Sequence, residues 1–278
     1  VPYRLGHYYV GFVLLVVLTG FWASYFSPLG SAMPLAFHIH AMTASSWLLL
    51  LIAQSVVIHQ RQNALHKVMG KASFVLFPLL MLGFTMIINL SADRYAAKES
   101  PFIAYVGPSF GIGMTVALIA YLTLFYMAMK HRRNARLHAG YLLATPMILF
   151  ESPFSRAMSQ YFPWMNVIGS TGFQELLDTI VVSNALVSLF ALALYWRDRR
   201  NGAPWLVAIA FMTLESAVMW FAPSWPFAAD LFAAYTHVPH WISLVGALFA
   251  GAAAGYFGWY AAPGVRKRSA PADAVPQA

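Results

Sequence analysis

The chain has 278 residues, 60% hydrophobic and 9% charged, with a formal net charge of +8 and a mean hydropathy of +0.64. A soluble domain carries about 25% charged residues, so this composition cannot clothe a water-facing surface and the solvent for most of the chain is lipid. The basic excess falls in short clusters between apolar runs, which excludes nucleic acid as the partner, and the absence of cysteine excludes disulfides, thiolate metal sites, iron–sulfur clusters and cysteine nucleophiles.

A spanning helix takes about 20 mostly apolar residues. Eight such runs follow one another, at 7–27, 35–58, 69–91, 104–129, 137–154, 173–196, 203–222 and 238–261. The first reads as a span and not as a signal peptide. Runs such as Ser45–Ile58 lack the alternation of a barrel strand, so the expected fold is all-α: an integral membrane bundle of about eight helices. Four segments are expected. Residues 1–154 form five helices, 155–172 an outer-side interfacial loop, 173–262 three further spans, and 263–278 a basic, disordered cytoplasmic tail. The fifth run is expected to be interrupted at Pro146 and to end at Glu151-Ser152-Pro153.

The basic residues set the orientation. Arg4, Arg61, Lys67, Lys71, Lys130, Arg132, Arg133, Arg136, Arg197, Arg199, Arg200, Arg266, Lys267 and Arg268 fall on one side. Only Arg94, Lys98 and Arg156 fall on the other. That asymmetry predicts that both termini lie in the cytoplasm.

An internal repeat is legible. The loop His59–His66 and the loop His131–His138 both read H-x-R-x3-L-H, and Phe37-His-Ile-His-Ala-Met-Thr matches Phe110-Gly-Ile-Gly-Met-Thr with one gap. Helices two and three then repeat as helices four and five in parallel, over 35–91 and 104–154. The repeat makes His66 and His138 counterparts at the cytoplasmic side, while His38 and His40 have Gly111 and Gly113 in their place.

Two histidine groups are candidate sites. Facing imidazoles can hold a haem iron from both sides, which makes His66 and His138 haem b ligands with Arg61 and Arg133 against its propionates. The same residues at headgroup depth can instead contact anionic lipid or phosphate, or simply mark the interface. On the outer side, His237 and His240 three residues apart, with His38 or His40, can offer nitrogens to zinc or iron. Here Pro239 read as a helix start makes them boundary residues instead. Glu215 lies inside a span, where an ionisable group needs an interior position, a proton or a partner, and Arg156 is one such partner; Glu151 lies at nearby depth. Trp47 and Gln54 share a helix face and either line a polar cavity or tie helices together.

The segment Phe37–Gly70 resembles a widespread group of uncharacterised bacterial membrane proteins that carry His-x-His at a helix start, then Trp, Gln and Leu-His-(Arg/Lys)-x-x-Gly. The matching residues are His38, His40, Trp47, Gln54, Leu65, His66, Lys67 and Gly70, and His138, Pro153 and Arg156 match a later element. A more distant similarity is to the two-haem, ascorbate-reducible transmembrane cytochromes b. It implies a four-helix core and room for one haem, between His66 and His138, because Gly113 stands where a further ligand belongs. The outer histidines are loosely similar to those of the ceramidase and adiponectin-receptor zinc hydrolases, which pair a His on an early helix, here His40, with two on the last. The expectation that follows is a bacterial inner-membrane haem module passing electrons between quinone and another protein. Its alternatives are a metal-dependent membrane hydrolase or lipid-modifying enzyme, and a non-enzymatic subunit of a larger membrane assembly or lipid-binding protein.

Overall fold

A computed structural model describes residues 2–261; the tail expected at 263–278 lies outside the described residues. Nine α-helices account for most of the described chain: α1 (Gly6–Gly20), α2 (Leu35–His59), α3 (Asn63–Ala96), α4 (Pro101–Lys130), α5 (Ala135–Tyr161), α6 (Gln174–Arg197), α7 (Ala203–Phe221), α8 (Pro226–Tyr235) and α9 (His240–Tyr260). Six of them, α2, α3, α4, α6, α7 and α9, are long and apolar enough to cross a membrane. Of the other two expected spans, α1 is apolar with 15 residues, and α5 has 27 residues but carries Glu151, Arg156 and two prolines.

The distribution of polarity is that of a protein dissolved in lipid. Phe249 on α9 is 72% exposed while Asp178 is 0% exposed, and Asn89, Thr145, Asn184 and Glu215 are buried as well. In hydrocarbon the apolar surface gains nothing by turning inward, whereas every polar group must find a partner inside.

Helix ends follow local chemistry. Ser100 accepts a hydrogen bond from the Ile103 amide at 3.2 Å, with Pro101 opening α4, and Asn134 accepts from the Arg136 and Leu137 amides at the start of α5. Such caps satisfy amides that have no intrahelical acceptor. The α5 helix runs through Pro146 and Pro153 to Tyr161, past the end expected at 154, so much of the expected outer loop is helical. The physical reason is replacement of lost bonds. Pro146 has no N–H for the Leu142 carbonyl, and the Thr145 hydroxyl donates to that carbonyl at 2.8 Å.

Helices α2, α3, α4 and α5 surround an aromatic centre. Trp47 is 1% exposed, its Nε1 donates to Thr145 Oγ1 at 2.9 Å, and its ring meets Phe77 and Phe125, which stack on each other at 4.0 Å. One threonine thus carries a carbonyl freed by proline and an indole from the facing helix. Helix α1 packs against α2 and α5, α9 against α3 and α4, and α6 and α7 against α5. Glycines set the closest approaches. A methyl at Gly20 would overlap the Pro153 carbonyl, one at Gly251 would lie 2.7 Å from Pro78 Cα, and methyls at Gly111 and Gly113 would overlap Phe232 and Met219. This last pair explains why α4 carries no histidines at those depths: α8 and α7 press against it there.

Candidate functional site

Helices α1, α3 and α5 begin, and α2 and α4 end, at the same end of the bundle, termed the near end. His66 and His138 are each the fourth residue of their helix, counted from Asn63 and Ala135. Helix α3 neighbours α2 and α4, whereas α5 neighbours α4 and α1, so the two imidazoles come from diagonal positions and lie within electrostatic reach of each other. His138 Nδ1 donates to the Ala128 carbonyl of α4 at 2.9 Å, which fixes the ring and leaves Nε2 as the coordinating nitrogen. His66 Nδ1 is buried without a partner among the described residues.

Other near-end groups share that condition. His59 Nδ1 donates to the Ser55 carbonyl at 2.6 Å, while its Nε2, His7 Nδ1 and Gln54 Oε1 are buried without partners among the described residues. The His7 and His59 rings lie 6.5 Å apart. Buried polar atoms are nearly always hydrogen-bonded, so four orphans at one end mark a place where water or a ligand belongs. His7 escapes sequence reasoning, although an ionisable residue in the first turn of an apolar helix was its available signal. His131 stacks on Tyr141; burial, and then Lys130, hold its imidazole below the usual range. Arg61 occupies the loop before α3 with a left-handed φ of 62°, and Arg133 the equivalent loop before α5.

The far end gathers a second group. A cavity of about 170 Å³ is bounded by Phe21 just after α1, by Tyr25 and Phe26 of a π-helical turn (Trp22–Phe26), by His40, Ala41 and Leu48 of α2, and by Leu149 and Arg156 of α5. Arg156 Nη1 donates to the Ser152 carbonyl at 2.8 Å and the Ser152 hydroxyl at 2.7 Å, and the guanidinium lies 4.8 Å from the Phe21 ring centroid. Its electrostatic partner is Glu151 on the same helix, and not Glu215. Glu215, 4% exposed, accepts from Asn184 Nδ2 at 3.3 Å and feels the charge of Glu151.

The outer histidines expected to bind metal do not come together. Among the described residues no three His, Asp or Glu side chains form a set able to hold a metal ion. Pro239, with φ −56° and ψ 131°, is the N-cap of α9, so His237 lies in the turn before the helix and His-Val-Pro-His offers no helix face. His240 instead meets Asp93 of α3 at 3.0 Å, His38 Nδ1 pairs with the Tyr25 hydroxyl at 3.1 Å, and His40 lies against Phe84. Trp47 serves as the central packing residue, and Gln54 is divided from it by two helical turns. Asp178, whose carboxylate accepts from Ser170 and Trp220, is a satisfied loop anchor.

Comparison with protein-family models, with curated proteins and with solved structures finds no match.

Proposed function

We propose that this multi-pass membrane protein is an electron-transfer module that holds one b-type haem at its near end, between His66 and His138. The carrying observation is the diagonal imidazole pair, one ring anchored through Nδ1 to a backbone carbonyl and the other with a buried nitrogen that has no partner. Both features suit ligation: an anchored ring loses little freedom on binding, and an orphan nitrogen gains the partner it lacks. Arg61 and Arg133, on the two loops beside these residues, would face the propionates. When bound, the haem would supply one-electron redox chemistry, with quinone or a membrane protein as the exchange partner.

The reading also takes α1 and α5 as spans, eight in all, treats α2–α3 and α4–α5 as copies, and puts the near end and both termini in the cytoplasm of a bacterial inner membrane. The resemblance to the His-x-His membrane group supports the membrane placement, and the distant similarity to the transmembrane cytochromes b supports the haem. A second reading is favoured by the orphans on His7, His59 and Gln54 beside the basic Arg4 and Lys67: the same end would cradle an anionic headgroup or phosphate.

An absorption spectrum separates the two. Purified protein, reduced with dithionite minus oxidised, is expected to show Soret and alpha bands that disappear in His138→Ala and His66→Ala. A colourless wild-type protein expressed with ample haem overturns the haem reading and leaves the headgroup reading.

A further inference from the structure

We infer that the far-end cavity between α1, α2 and α5 binds the oxyanion head of an amphiphile, a long-chain carboxylate or a phosphate-headed lipid, with Arg156 as the recognising group. This site is separate from the near-end histidines, and the inference does not depend on haem.

Three observations carry it. The first is the guanidinium itself. Arg156 is lodged in an apolar pocket, held from one side by Ser152 and from another by the face of Phe21. Both of its hydrogen bonds leave from Nη1, and among the described residues nothing accepts from Nε or Nη2. The edge formed by those two nitrogens is the planar fork that matches a carboxylate or phosphate. Glu151 lies close enough to balance charge, yet Arg156 forms no carboxylate contact within 4.0 Å among the described residues, so the fork remains available.

The second is His40. It lines the same cavity within electrostatic reach of Arg156, and its Nδ1 is buried with no partner among the described residues. An unpaired imidazole nitrogen beside an unpaired guanidinium edge defines a polar spot in a surround of Val17, Phe37, Leu48 and Leu149. A ligand that satisfies both has oxygen acceptors at one end and hydrocarbon elsewhere.

The third is shape. Gly20 lets α1 touch α5 at Pro153, where a side chain would collide with the backbone. Beyond that contact the chain turns through the π-helical Trp22–Phe26, held to α2 by the Tyr25–His38 bond. The gap thus enclosed, about 170 Å³, compares with the roughly 150 Å³ apolar cavity that accommodates benzene. It takes a head and a few methylenes, and the rest of a tail must lie in the bilayer. π-helical turns are rare and recur at functional sites.

The test uses the full chain in dodecyl maltoside, titrated calorimetrically with oleate, oleyl alcohol, dioleoyl phosphatidate and dioleoylglycerol. At least one of the acids is expected to bind with a stoichiometry of one, tighter than its uncharged counterpart by about tenfold to a hundredfold, as charge-assisted hydrogen bonds to a guanidinium allow. Preference for oleate identifies a free acid, and preference for phosphatidate a lipid headgroup. Arg156→Gln should abolish the preference for acid over neutral ligand, and Ala41→Phe, which fills the cavity from the opposite wall, should abolish binding. If Arg156→Gln does not fold, the acid–neutral comparison on wild type and the Ala41→Phe titration decide. Equal affinity for acid and neutral ligands in wild type, or undiminished acid binding by a folded Ala41→Phe protein, overturns the proposal.

Discussion

Single residues in this bundle carry unequal weight, and the hydrogen bonds show which. Trp47 fills the space between four helices and donates to a threonine whose own proton is committed to the carbonyl that Pro146 leaves free. Trp47→Ala removes the ring and the bond together and is expected to lower stability by about 3–5 kcal/mol, the usual cost of emptying so large a buried site. Trp47→Phe keeps most of the volume and loses the indole donor, for a cost of about 1 kcal/mol. Thermal unfolding in detergent checks both, and equal losses would show that the ring's volume is not what matters. The histidines divide by the same reasoning. His240 and His38 have partners in Asp93 and Tyr25 and behave as structural residues, whereas His7, His40, His59 and His66 each keep a buried nitrogen without one among the described residues. That distinction is not legible in the sequence. His-Val-Pro-His reads as a metal-binding pair if a helix runs through it, and only the N-cap geometry of Pro239 separates the two residues. Spacing predicts a shared face only where the backbone is helical.

At the scale of elements, close approach governs. Helix α9 buries few side chains yet packs on α3 and α4, because Gly251, Gly255 and Gly258 face Pro78, Phe74 and the Tyr126 carbonyl. Helix propensity alone makes Gly→Ala favourable by about 1 kcal/mol, and Gly246, with nothing within 4 Å, should follow it. Gly251→Ala and Gly258→Ala should go the other way and lose about 1–3 kcal/mol by overpacking. A melting temperature that rises in all three variants would contradict the packing of α9. At the near end, Arg136 in the first turn of α5 meets Asp198 at 2.8 Å. The Asn201 amide foremost, and then Arg136, hold the Asp198 carboxyl below its usual range. A depressed carboxylate stabilises the fold above its unfolded pKa, about 3.9, and that contribution is lost as pH falls through the lower folded value. Wild type should therefore exceed Asp198→Asn slightly at pH 7, with the gap closing in acid. A gap that widens in acid would contradict the pairing. Long, apolar helices were legible at this scale, since length and hydropathy are local quantities. The length of α5 was not, because whether a proline ends a helix depends on who satisfies the freed carbonyl, and Thr145 does so only through its place in the fold.

For the whole molecule, two polar ends flank an aromatic middle. The bundle shape follows from composition, whereas the two candidate sites come from helices distant in sequence and emerge only when those helices pack. Orientation can be measured against a clean background, since the chain contains no cysteine. Single replacements Arg61→Cys and Lys98→Cys, probed with a membrane-impermeant maleimide on intact spheroplasts, should leave the first unlabelled and label the second. The reverse pattern would invert the topology. The haem reading is tested most directly by electron paramagnetic resonance of the oxidised, purified protein together with iron analysis. The account predicts one iron per chain with a low-spin ferric signal of paired imidazoles, converted to high spin or lost in His138→Ala. Protein free of iron after expression with ample haem, or a low-spin signal unchanged in both His66→Ala and His138→Ala, would contradict it.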